Sequence, residues 1–159
     1  MGTIKIKEIK VKSPLAKKCA GIIQEYSWGD NYPVKAWSEL KCARYIIAVF
    51  DRKKIVGCSS VTRIASPDKI DNGKLWLANA IVLPNYRKKG IFKLLYNKQF
   101  KYAEKYNEPI FSCTSNPVIE KFLLKNRWVL YRITKDESGE MCKVFIINPT
   151  QKHLKKTHH

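Results

Sequence analysis

The part of the chain richest in candidate chemistry is a short basic loop that leads into a helical pattern. Arg87, Lys88 and Lys89 precede Gly90, and Lys93 follows within the first predicted helical turn. The first turn of a helix has unpaired N–H groups and a partial positive charge, and glycine lets a ligand approach the backbone. This combination predicts a pyrophosphate-binding site. The pattern alone also fits a solvated helix start.

Two further residues are candidates for catalysis. Asn79 interrupts the apolar run 75–83, and a buried amide needs hydrogen-bond partners. It either orients a water or an amine, or makes a structural hydrogen bond. Cys113 lies in the short predicted strand 110–114, where a thiol could donate a proton to a leaving group or be buried and inert.

Carboxylates and aromatic rings are interspersed between residues 25 and 39. Glu25, Trp28, Asp30 and Tyr32 lie close together in the sequence, and Glu39 follows them. Acids among ring faces suit a cationic amine through charge and cation–π contacts. We interpret the first four as candidate substrate-binding residues; a packed aromatic loop with solvated acids is the alternative.

The positions of histidine exclude several kinds of site. The three histidines are His153, His158 and His159, in the last seven residues, so the body of the chain has no Ser-His-Asp triad, Cys-His pair or His-ligated metal. The five cysteines are widely spaced, without a C-x-x-C pair, which indicates reduced thiols. We therefore expect no metal and a cytoplasmic location.

Charge is the strongest compositional bias. The chain has 31 Lys and Arg against 13 Asp and Glu, a formal net charge of +18. Residues 84–106 contain seven basic residues and one acidic residue, and residues 1–18 contain six basic residues and one acidic residue. This predicts a phosphate-bearing partner, with nucleic acid as one possibility; a solvated basic surface is the alternative. No apolar run approaches the roughly 20 residues of a membrane span, and the alternating start does not resemble a signal peptide.

Periodicity and turn residues predict a mixed α/β chain. Ser13-Pro14 predicts a helix start, and a second short helix is expected from Pro33. The run 75–83 suits a central strand buried on both faces. The remaining elements are a strand at 4–11, a hairpin at 44–64, a helix to about Tyr106, a strand at 110–114, a helix after Asn116, and strands at 128–133 and 142–147. We expect one domain over 1–148 and a basic tail, disordered or vector-derived, over 149–159.

Residues 75–128 resemble the core of the GNAT family, the acetyl-CoA-dependent N-acetyltransferases. That family has a strand ending in V-x-P, followed by R/Q-x-x-G-x-G/A at a helix start. Here Val82-Leu83-Pro84 is followed by Arg87-Lys88-Lys89-Gly90-Ile91-Phe92. The family's later Asn, helix and Gly-Phe correspond to Asn116, the segment 117–122 and Arg127-Trp128. The order of elements from about residue 3 to 147 also fits.

The resemblance implies a GNAT-like fold, with a central mixed sheet of six to seven strands and about four helices. It implies transfer of an acetyl group from acetyl-CoA, as co-substrate, to a primary amine of a small molecule or a protein. Residues 80–82 would contact the pantetheine arm, 88–93 the pyrophosphate, Arg87 would shape the loop, and Asn116 would contact the arm. The implied cofactor-binding residues are Ala80, Ile81, Val82, Arg87, Lys88, Lys89, Gly90, Ile91, Phe92, Lys93 and Asn116.

The chain departs from the family pattern at several positions. Phe92 replaces a small residue and is expected to crowd the loop, and Arg127 replaces a glycine, so we expect Asn126 to adopt the left-handed conformation. Leu123 stands where many members have a Tyr that acts as the general acid. Phe111 stands where some members have a Glu that acts as the general base. Two alternatives therefore remain beside an amine acetyltransferase: a nucleic-acid-directed acetyltransferase, and a non-catalytic CoA-binding module. We expect a monomer or a homodimer.

Overall fold

A single mixed sheet of seven strands runs through the molecule. The computed structural model describes residues 3–149, so most of the tail predicted at 149–159 lies outside the described residues. The strands follow the order β1-β2-β3-β4-β5-β7-β6, in which β4 and β5 are parallel and the other neighbours are antiparallel. The strands are β1 (Ile4–Ile9), β2 (Tyr45–Asp51), β3 (Lys54–Thr62), β4 (Leu75–Val82), β5 (Ile110–Thr114), β6 (Val129–Lys135) and β7 (Met141–Ile147). The predicted mixed α/β fold is confirmed.

Four α-helices cover the two faces of the sheet. They are α1 (Pro14–Ile23), α2 (Ala36–Leu40), α3 (Ile91–Glu104) and α4 (Pro117–Lys125). One apolar layer joins α1 and α2 to β2 and β3 through residues such as Cys19, Leu40 and Ile46. The opposite layer packs α3 and α4 through Phe100 and Leu123. No helix within residues 3–149 is long and apolar enough to cross a bilayer.

The connection between α1 and α2 is held by Gln24. The predicted helix continues past Ile23 as a π-helical turn (Gln24–Trp28), closed by the Gly29 N–H on the Gln24 carbonyl at 2.7 Å. The Gln24 amide donates to the Gly29 carbonyl and accepts from the Ala36 N–H, both at 2.7 Å. We call these two hydrogen bonds of the Gln24 side chain the Gln24 clamp. Because the clamp binds the Ala36 N–H, the second helix begins at Ala36 and not at Pro33.

Strand β4 is only partly a buried strand. Residues 75–77 are buried, but Ala80 is exposed, which corrects the expectation of burial on both faces. The reason is that β5 pairs with β4 only at two positions, and Ser112 Oγ then donates to the Leu77 carbonyl at 3.2 Å. Beyond this point the facing edges of β4 and β5 are unpaired, so a cleft opens in the sheet.

The end of α4 differs from the sequence-based expectation in one residue. Arg127, and not Asn126, has the left-handed conformation, with φ at 71°. The Arg127 N–H donates to the Leu124 carbonyl at 3.2 Å and the Trp128 N–H to the Leu123 carbonyl at 3.0 Å, which is a Schellman ending. The turn directs Trp128 into the core, where its indole N–H donates to the Tyr96 hydroxyl at 2.8 Å.

Candidate active site

The basic loop leaves the end of β4 and turns directly into α3. A 3₁₀ turn (Pro84–Tyr86) follows the strand, and Arg87 Nε donates to the Val82 carbonyl at 3.1 Å. Lys88 and Gly90 both have left-handed backbones, with φ at 61° and 81°. The Arg87 side chain thereby ties the loop to the strand, and the two left-handed residues turn the chain into the helix.

The beginning of α3 offers donors and positive charge to an anion. Its first backbone bond runs from the Leu94 N–H to the Gly90 carbonyl at 3.2 Å, so the N–H groups of Ile91, Phe92 and Lys93 precede the helical ladder. The side chains of Lys88, Lys89 and Lys93 are exposed around them. Backbone donors and ammonium groups at one helix start are the chemistry that holds phosphate.

Phe92 does not fill this loop with its side chain. Its ring packs edge-on against Phe122 of α4, with 5.2 Å between ring centroids, while Ile91 is buried in the core. The Phe92 ring therefore lies between α3 and α4 and does not crowd the loop as expected. Asn116 lies after β5 and caps α4, accepting from the Val118 N–H at 2.9 Å through Oδ1.

Asn79 lies at a bulge in β4 on the α1 and α2 side of the cleft. The register of β3 against β4 shifts there, and Asn79 has a left-handed backbone with φ at 60°, which asparagine tolerates better than most residues. Its Nδ2 donates to Ser60 Oγ at 2.9 Å and to Glu39 Oε1 at 3.2 Å. The amide that sequence analysis singled out thus connects β3, β4 and α2.

Gln99 supports the bulge from the other face of the sheet. It is buried in α3, and its Nε2 donates to the Ser60 carbonyl at 2.7 Å and to the Ala78 carbonyl at 3.1 Å. These carbonyls belong to β3 and β4 beside the register shift. In the sequence, the signal for this role is a polar residue, Gln99, within the apolar stripe of a predicted helix.

Glu39 is the functional candidate that sequence analysis placed only among the acids of the loop. It lies on α2, half-buried against the bulge. Burial raises the pKa of its carboxyl to about 7, with a further contribution from Glu137 and an opposing one from the Asn79 hydrogen bond. A carboxyl with a pKa near neutrality can exchange protons at physiological pH.

The remaining predicted substrate residues divide into two pairs. Trp28 and Tyr32 are brought together, with 5.1 Å between ring centroids. Burial, together with the charges of Asp136 and Glu137 in the β6–β7 turn, raises the pKa of Tyr32 to about 12, so Tyr32 faces that turn. Glu25 and Asp30 are exposed, and within residues 3–149 no ion pair joins either to the cleft.

Cys113 lies on β5 across the cleft from these residues. Its hydrogen bond with Cys142 and its burial raise the pKa of its thiol well above the ordinary value, and the charges of Glu39 and Asp136 act in the same direction. The thiol is therefore protonated at neutral pH. The cleft brings together Asn79, Glu39, Tyr32 and Cys113, with the basic loop at the end of the same strand, β4.

Comparison with known proteins identifies the family. The sequence profile of the Acetyltransferase (GNAT) family matches residues 15–119, and no curated protein sequence matches the chain. The chain is similar in fold to the ribosomal-protein-S18-alanine N-acetyltransferase of Escherichia coli, with 12% identity, a TM-score of 0.67, and coverage of 92% of this chain and 94% of that chain.

Two other solved structures share this fold. An acyl-CoA N-acyltransferase of Pseudomonas aeruginosa has 8% identity and a TM-score of 0.69, covering 91% of this chain and 99% of that chain. A Bacillus anthracis protein solved in complex with acetyl coenzyme A has 19% identity and a TM-score of 0.51, covering 67% and 62%. At these identities the likeness is one of fold. The profile match, which covers about two thirds of the chain, shows that the chain belongs to the GNAT acetyltransferase family.

Proposed function

We propose that the protein is an acetyl-CoA-dependent N-acetyltransferase, folded as one domain over 1–148, that acts on a cationic primary amine by direct attack on the thioester. The observation that carries this proposal is that β4 connects the basic loop, the cleft and an acidic side chain. Its end holds the phosphate-type loop, its middle borders the cleft, and its bulge touches an acidic side chain.

The cofactor-binding assignment follows from the loop and the cleft. The N–H groups of residues 91–93, with Lys88, Lys89 and Lys93, would hold the pyrophosphate. The pantetheine arm would lie along the unpaired edge of β4 at residues 80–82. A backbone N–H near Ile81 would face the thioester oxygen, and such a donor contributes a few kcal/mol in comparable oxyanion sites.

The acceptor assignment follows from local charge. The chain is strongly basic, yet the side of the cleft beside Asn79 has Glu39 at hydrogen-bonding distance. The charges of Asp136 and Glu137 reach Tyr32 in the same region. Carboxylates beside aromatic rings attract an ammonium group. We therefore assign this side to the acceptor, an alkylamine, an amino acid, a polyamine or an amine of a protein.

The direct test is acetyl-CoA turnover, measured by release of free thiol, against small amines, amino acids, polyamines, basic peptides and tRNA. A titration of acetyl-CoA without acceptor runs beside it. We expect binding of acetyl-CoA and thiol release with one class of amine. Binding without release by any acceptor would instead support a non-catalytic module, and release with tRNA alone would support a nucleic-acid acceptor.

Gly90→Asp tests the cofactor site and has the largest expected effect. The substitution places a carboxylate and a side chain at the helix start, on a backbone with φ at 81°. We expect titration calorimetry to detect no acetyl-CoA binding. Gly73→Asp is the matched control, since Gly73 has φ at 96° and, like Gly90, open space around an added Cβ. Unchanged affinity in a folded Gly90→Asp protein would contradict the assignment.

A further inference from the structure

The carboxylate of Glu39 lies beside the bulge of β4, next to the strand edge to which the proposed thioester is assigned. The Asn79 amide connects it to the bulge, because Nδ2 donates both to Glu39 Oε1 at 3.2 Å and to Ser60 Oγ at 2.9 Å. One carboxylate oxygen is thereby oriented. The other, Oε2, has no hydrogen-bond partner within residues 3–149 and can take a proton.

Other acids near the cleft are less suited to this role. Asp136 is occupied by its own turn, where Oδ1 accepts from the Ser138 N–H at 2.8 Å and from the Glu140 N–H at 3.1 Å. Glu25 and Asp30 are exposed. Glu39, which contacts the bulge, is therefore the acid placed to remove a proton from an ammonium.

We propose that Glu39 is the general base of the reaction and that Asn79 and Ser60 are its positioning residues; the inference rests on the proposed function. Glu39 Oε2 takes one proton from the ammonium of the acceptor. The freed nitrogen attacks the thioester carbonyl carbon, and a C–N bond forms. The C–S bond then breaks with its electron pair on sulfur. A second proton passes from nitrogen to the thiolate, which gives an amide and free coenzyme A, and Glu39 returns its proton to water.

The groups that face Glu39 suit this task. They are Asn79 from β4, Glu137 from the β6–β7 turn and Cys113 from β5. Burial and the charge of Glu137 raise the pKa of Glu39 to about 7, although the Asn79 hydrogen bond opposes the shift. A base is most effective when its pKa lies near the working pH. A free alkylamine has a pKa of about 10.4, so few molecules are neutral at pH 7 without such help.

The test compares wild-type protein with Glu39→Gln, and uses Glu8→Gln, at an exposed residue of β1, as the matched control. The acceptor is the most active amine of the panel above. We expect kcat at pH 7 to fall about 100-fold in Glu39→Gln, with the acetyl-CoA Kd unchanged. The wild-type rate rises through pH 7 and levels off; the variant rate continues to rise toward the pKa of the amine, about 10.4.

Asn79→Gly separates positioning from simple loss of structure. Glycine keeps the left-handed backbone of the bulge but removes the amide that lowers the pKa of Glu39. We expect the rising limb of the pH profile to move to higher pH. A Glu39→Gln protein that kept the wild-type rate and plateau would overturn the assignment of the base alone. A wild-type protein that released no thiol with any acceptor would overturn the proposed function as well.

Discussion

The two sides of the cleft are built in different ways. Most of the cofactor side comes from one continuous segment, in which the end of β4, the basic loop and the start of α3 lie within residues 80–93. The acceptor side combines Tyr32 and Glu39 with Asn79, Cys113 and the turn at 136–137, which lie on separate parts of the chain. A continuous site is visible as a motif, whereas a site assembled by the sheet is visible only in the folded chain.

Asn116 tests whether the cofactor side extends beyond the continuous segment. We expect Asn116→Ala to raise the KM for acetyl-CoA about tenfold, the upper range for one hydrogen bond, and to lower the free energy of unfolding by about 1 kcal/mol through loss of the cap. Asn116→Ser keeps a capping oxygen and is the control. Steady-state kinetics with thermal unfolding separate the effects; equal KM values for Asn116→Ser and wild type would show that Asn116 only caps α4.

Tyr32 tests the opposite side. Tyr32→Phe removes the hydroxyl and keeps the ring against Trp28, whose centroid is 5.1 Å away. We expect the KM of the amine acceptor to rise about fivefold, the value of one hydrogen bond, while the acetyl-CoA Kd stays the same. Both constants are measured on one preparation. An equal change in the two would mean that the sides of the cleft are not separate.

Glu137 should have the smallest effect, and its direction is informative. Its charge raises the pKa of Glu39. In Glu137→Gln the pKa of Glu39 is therefore lower, Glu39 loses its proton at a lower pH, and the rising limb of the rate profile moves to lower pH. The shift should decrease in high salt because exposed charges are screened. Movement of the limb to higher pH would contradict the proposed arrangement.

The sequence predicted the elements that depend on local pattern. The order of helices and strands along the chain agrees with the structure because apolar spacing, Ser13-Pro14 and Asn116 are local signals. Long-range contacts explain the differences. The contact of Glu39 with Asn79 spans 40 positions and that of Gln99 with Ser60 spans 39, and neither is visible in a helical or strand period.

The conformation at the end of α4 depended on tertiary structure in the same way. Asn126 has the higher intrinsic preference for a left-handed backbone, but Trp128 must reach Tyr96 in the core. Burial of that indole determines at which residue the chain turns, so Arg127 adopts the left-handed conformation. Local preference was overruled by the packing of one large side chain.

The Gln24 clamp has a consequence for heat tolerance. The proposed base, Glu39, is on α2, a helix of five residues, which is far too short to be stable alone. The N–H of Ala36, the first residue of α2, donates a hydrogen bond to the Gln24 side chain. Although Leu40 packs in the core, we expect this short segment to open at a lower free energy than the sheet beneath it. Warming would release α2 and carry Glu39 away from Asn79 while the strands remain paired. Catalysis would then fail at a lower temperature than the fold, and strengthening this clamp would extend the working range without altering the sheet.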